Sequence, residues 1–136
     1  MKKALPLWVK VIVVVAASLF AAGSVIAVMR PELLVARQGE MNSAARVYAG
    51  YMFSRNLALA VMLLAAWIKD TRQALSGLML LAALVQLLDA GLDAAEGRIM
   101  LVPGIVVLCA LFSFAAVRIP EGFFRRAAPG PPFERR

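Results

Sequence analysis

The residues best suited to chemistry in this chain are Arg55 and Asn56, which interrupt an apolar stretch between Met52-Phe53 and Leu57-Ala58. A guanidinium among apolar residues costs at least ~2.5–3.5 kcal/mol to hold in hydrocarbon, so it calls for a carboxylate or a water-filled cavity. A later apolar stretch offers acceptors. Gln86, Asp89, Asp93 and Glu96 are spaced three, four and three residues apart, which sets them on one face of a helix. Arg55 lies eight residues in from Val47 and Asp89 eight residues in from Gly97, the expected outer ends of their helices. Eight residues rise about 12 Å, so the two charges are expected at one level, as an Arg55–Asp89 pair. Asp93 then lies one turn nearer the outer surface. Tyr48 and Tyr51 precede Arg55 on the same face, and either hydroxyl is placed to join it.

Two readings of this cluster stand side by side. Buried ion pairs between helices often only fix register and partner choice; intramembrane charges also mark ligand and proton sites. Asp93 and Glu96 read equally well as solvated residues at a helix end, and Gln86 and Asn56 as hydrogen-bonding glue between helices.

Other chemistry is poorly provided for. Histidine is absent and the single cysteine, Cys109, sits within an apolar block, where it reads as a small hydrophobe. No phosphate-cradling glycine loop, nucleophile–base pair or metal-ligand spacing is present. No catalytic residue, metal or cofactor is therefore expected. Acid–base work would fall on Asp89, Asp93, Glu96 or a tyrosine.

The elements that must position these residues are plain from composition. Apolar residues make up 62%, above the ~45–50% usual in soluble domains, and they come in four blocks, residues 11–29, 47–68, 74–88 and 99–117. A block of nineteen residues spans about 28 Å as a helix, close to the ~30 Å of a bilayer core. Barrel strands would be shorter and would alternate in polarity. Chain inside lipid must satisfy its own backbone. The expected fold is all-α: an integral membrane four-helix bundle over residues 1–118, with helices near 7–29, 47–68, 73–95 and 99–118. Residues 119–136 form a basic, Pro/Gly-containing cytoplasmic tail. The first block has the Lys2-Lys3 and small-residue features of a secretory signal, with a cleavage-like site at 25–27. Its nineteen uncharged residues exceed the usual ~7–15-residue signal core, which favours a transmembrane helix.

The +7 net charge collects at helix ends and in the tail, not on a basic face interleaved with aromatics, so nucleic acid is not an expected partner. With the N-terminus inside, ten Lys and Arg lie on the cytoplasmic side and four, Arg30, Arg37, Arg46 and Arg98, on the other. By the positive-inside rule this sets an N-in/C-in, multi-pass topology. Trp8 and Trp67 then fall at the cytoplasmic interface, where aromatic belts form.

Arg46 through Arg55-Asn56-Leu57-Ala58-Leu59, the charged turn at 69–72 and Gln86–Asp89 together resemble the small bacterial four-helix membrane proteins of the DoxX-like group, over roughly residues 5–118. That resemblance implies a four-helix bundle in a bacterial inner membrane, and some members of the group are associated with membrane redox complexes. The first functional expectation is an accessory or small-molecule-binding subunit, with a quinone-like or lipid ligand near Arg55 and Asp89. The bilayer and other membrane subunits, or a second copy, are the expected partners. The others are an oligomeric small transporter or proton-coupled exporter, and a membrane enzyme with a wet outer pocket.

Overall fold

A computed structural model of the chain describes residues 4–34 and 43–119. Four α-helices make up almost all of it: α1 (Leu7–Met29), α2 (Ser43–Ile68), α3 (Arg72–Ala95) and α4 (Val102–Arg118), with a single 3-10 turn at Pro31–Leu34 after α1. α1 packs mainly on α2 and α3 mainly on α4, so the bundle is two helical hairpins; α2–α3 and α1–α4 meet over less surface. α1, α2 and α3 are long and apolar enough to cross a membrane, and α4 is a shorter apolar helix of 17 residues.

Helix boundaries follow local chemistry. α2 begins at Ser43, a turn before the expected Val47, because Ala44, Ala45 and Arg46 are good helix formers that extend the segment outward. α4 begins three residues later than expected. Leu101 and Val102 donate to the carbonyls of Arg98 and Ile99 in tight turns, and the first i→i+4 bond here runs from Ile105 to Leu101. Pro103 has no N–H to give to Ile99, so α-helical bonding cannot start earlier.

Two helix ends share one device. After α3, Gly97 takes φ 78°, its N–H bonds the Ala94 carbonyl, and the Arg98 N–H bonds the Asp93 carbonyl at 2.8 Å. After α2, Asp70 takes φ 49°, its N–H bonds Trp67 and the Thr71 N–H bonds Ala66 at 3.0 Å. Both are left-handed caps that satisfy the last carbonyls. Glycine is the usual residue there. Asp70 adopts the conformation despite its Cβ, and its carboxylate accepts from Arg72 Nε at 3.1 Å. Outside α1, Arg30 and Glu32 form an ion pair; that hydrogen bond holds the Glu32 carboxyl below its usual range.

The interior is built from small residues. Among the described residues eleven alanines are buried, including Ala16, Ala60, Ala82 and Ala115, around a few large side chains such as Leu63, Met79 and Phe112. Small interior residues let helix backbones approach closely. Large apolar side chains instead face outward on every helix, including Val11, Val25, Val61, Leu84, Leu87 and Val107. So extensive an apolar exterior suits contact with lipid or another protein. Hydroxyls bridge the hairpin helices: Ser24 Oγ donates to Phe20 O at 3.0 Å and lies 3.3 Å from Phe53 O, and Ser76 Oγ donates to Ala116 O at 2.9 Å. At the other end from the 3-10 turn, Trp8 packs on Phe114 with ring centroids 5.5 Å apart, and Arg118 lies over the Phe114 ring at 4.9 Å.

Candidate functional site

The polar residues inside the bundle gather toward the end that carries the α3–α4 turn. Arg55 of α2 forks onto Asp89 of α3, with Nη1 to Oδ1 at 3.2 Å and Nη2 to Oδ2 at 3.0 Å. A parallel two-bond fork of this kind is the geometry a guanidinium and a carboxylate favour. The Arg55 side chain is 38% exposed and that of Asp89 20%, which puts the pair at the edge of the α2–α3 seam, not on the bundle axis.

A second ion pair lies one turn outward. Asp93 is buried, and Arg98 Nη2 bonds its Oδ1 at 2.6 Å while reaching Glu96 Oε2 at 3.4 Å. Asp93 is therefore no solvated helix-end residue. The cap explains why: Gly97 in the left-handed region turns the chain back, so that Arg98 stands over the last turn of α3. Glu96 remains exposed.

Between the hairpins these residues border a cavity of about 270 Å³. Its polar lining is Asn56, Gln86, Asp89, Asp93, Glu96 and Arg98, with Tyr48 beside them. Its apolar lining comes from all four helices and includes Phe20, Met52, Leu92 and Leu108. The two amides do not act as interhelical glue. Gln86 makes no hydrogen bond among the described residues. Asn56 is only 4% exposed and its Oδ1 is shielded without a partner. Leaving a buried amide acceptor unpaired costs about 1–3 kcal/mol. Opposite it stands Gly23 of α1, where an added Cβ would fall 2.9 Å from Asn56 Nδ2. Glycine there makes the room that the amide occupies.

Tyr51 stands apart from this group. Its side chain is 72% exposed, and its hydroxyl forms no hydrogen bond among the described residues. At 3.6 residues per turn Tyr51 lies about 40° further from the buried face of α2 than Arg55 does. Tyr48 is nearer to that face and lines the cavity. Sequence reasoning missed two contributors, Gly23 and Arg98, the latter counted only as an outer-side charge; Tyr48, expected beside Arg55, stands in the cavity wall. The signal for Arg98 was the Gly97 cap immediately before it. Among the described residues no group of three or more His, Cys, Asp or Glu side chains is arranged to hold a metal ion.

Over the described residues, fold and site together define an all-helical bundle of four helices, three of them of membrane-spanning length and polarity, with a partly open cavity of mixed polar and apolar lining near one end. Compared with protein-family models, curated proteins and solved structures, the chain matches none.

Proposed function

We propose that this protein is a multi-pass protein of the bacterial inner membrane, N-in/C-in, that binds a small amphiphile of quinone or lipid type in the cavity between its two hairpins. It serves there as an accessory subunit of a membrane complex. The apolar exterior of every helix supports insertion in lipid. The gathering of Lys10, Lys69, Arg72 and Arg118 at the end opposite the cavity supports the orientation by the positive-inside rule. Kinship with the DoxX-like group belongs to the same proposal and rests on the residues that carry the resemblance.

One observation carries the binding reading. Asn56 is buried with an unpaired acceptor, on the wall of a cavity that also exposes an unbonded Gln86 and an apolar surface. A few polar groups converging on an apolar hollow are the usual make-up of a small-molecule site. The test is native mass spectrometry of protein extracted from its own membranes in mild detergent. Wild type should retain a small amphiphile in stoichiometric amount, together with any partner subunit, and Asn56→Leu should lose the amphiphile. An identical set of bound molecules in the two would contradict the reading.

A further inference from the structure

At the end of the bundle opposite the cavity, one guanidinium stands open and unpaired. Arg118, in the last turn of α4, is exposed and lies 4.9 Å over the Phe114 ring. Phe114 in turn packs on Trp8 of α1. A guanidinium over a ring face is held in place while its N–H groups stay available. Among the described residues Arg118 has no carboxylate partner and no hydrogen bond, and the Trp8 indole N–H has none either. The other described arginine at this end, Arg72, is engaged by Asp70 and only 6% exposed. From the stack, two apolar ridges run toward mid-bundle. At 3.6 residues per turn Val15 and Leu19 fall within about 20° of Trp8 on α1, and Val107 within about 20° of Phe114 on α4. All three are exposed, and α1 and α4 meet over little surface. A fixed cation and an N–H donor thus head a long apolar seam.

We propose that this seam binds a phospholipid with a net negative headgroup. Two oxygens of its phosphodiester take the fork of Arg118, in the two-bond geometry that guanidinium and phosphate share. The Trp8 indole N–H donates to an ester carbonyl, its ring lying at the level where tryptophan meets both headgroup and hydrocarbon. An acyl chain lies between the ridges of α1 and α4. A zwitterionic headgroup is the poorer fit, because it brings a cation of its own to a stack of Trp8, Phe114 and Arg118 that holds no carboxylate. The site is separate from the cavity and takes from the proposed function only the insertion of the helices in lipid.

The chain has two tryptophans, Trp8 and Trp67, so Trp67→Phe in the full chain leaves Trp8 as the sole fluorophore of its kind. Phospholipid brominated close to the headgroup quenches a tryptophan that it touches. In vesicles, brominated phosphatidylglycerol should compete for Trp8 about fivefold better than brominated phosphatidylcholine, the effect of one cation at an anionic surface. Arg118→Ala should remove that preference, and Arg118→Lys, which keeps the charge without the fork, should retain only part of it. Lys10→Ala, about 160° around α1 from Trp8, should leave it nearly unchanged. Equal quenching by the two lipids would overturn the proposal. So would a preference that survives Arg118→Ala, or one lost equally to Lys10→Ala. The converse protein, Trp8→Phe, reports insertion through Trp67. Quenching of Trp67 without Trp8 would place protein, a partner or a second copy, over the seam; the lipid site would fall and insertion would stand. If neither tryptophan is quenched in protein shown to be folded by circular dichroism, insertion fails as well.

Discussion

Arg55 holds Asp89 with both terminal nitrogens, at 3.2 and 3.0 Å, and this fork ties α2 to α3 along a seam where the helices otherwise meet sparsely. It also fixes one wall of the cavity, since Asp89 lines it. Part of each side chain is exposed, so the coupling should be smaller than for a fully enclosed pair. Arg55→Ala and Asp89→Ala should each lower stability by about 1–3 kcal/mol. The double variant should cost less than their sum by roughly 0.5–3 kcal/mol, as for residues in direct contact. Detergent-denaturation midpoints read this, and strict additivity would contradict the coupling.

The Gly23–Asn56 contact makes a sharper demand. Alanine at position 23 favours the helix by about 0.5–1 kcal/mol, yet its Cβ would fall 2.9 Å from Asn56 Nδ2 and force the amide aside, an overpacking cost of about 1–3 kcal/mol. Gly23→Ala alone should be neutral to destabilising. Combined with Asn56→Ala it should become stabilising. Thermal melting of the four proteins checks this, and equal effects in both backgrounds would contradict it.

At the other end of the bundle, Asp70 combines a left-handed backbone with a bond to a guanidinium that is only 6% exposed. Asp70→Asn keeps a residue tolerant of that backbone and removes the charge, so it should destabilise by about 1 kcal/mol. Asp70→Gly removes the charge and relieves the backbone, so it should cost less than Asp70→Asn. The order of the two melting temperatures is the measurement.

Topology has its own test. In a Cys109→Ala background, Met100→Cys lies in the α3–α4 turn, where Met100 is almost fully exposed, and Lys69→Cys lies in the α2–α3 turn. A membrane-impermeant maleimide on intact cells should label position 100, and position 69 only after lysis. The reverse pattern would contradict an N-in orientation.

How much of this was legible beforehand differs residue by residue. A charge inside an apolar helix has few admissible partners, and helical spacing put Asp89 within reach, so the meeting of Arg55 and Asp89 could be read from the chain. The four helical blocks were legible for the same reason: backbone buried in an apolar setting has little choice. The second ion pair was not, because it depends on the handedness of one cap residue, Gly97, which carries Arg98 back over Asp93. Nor was the state of Asn56. An amide bonds or fails to bond according to helix separations of a fraction of an ångström, which a list of residue types does not carry. Tyr51 was placed with Arg55 by its i,i+4 spacing, but Arg55 is already at the edge of the seam, so the same rotation carries Tyr51 outside. Residues 35–42, and residues 120–136 of the expected tail, lie outside the described residues.

Whether Asn56 faces a bound molecule can be read on its own amide. The chain has two asparagines, Asn42 and Asn56, so selective 15N-asparagine labelling gives two side-chain amide signals, assigned by Asn56→Gln. Protein from native membranes should show the Asn56 signal move when bound amphiphiles are stripped and return when they are restored, with Asn42 unmoved. An Asn56 signal indifferent to stripping would contradict a ligand in the cavity.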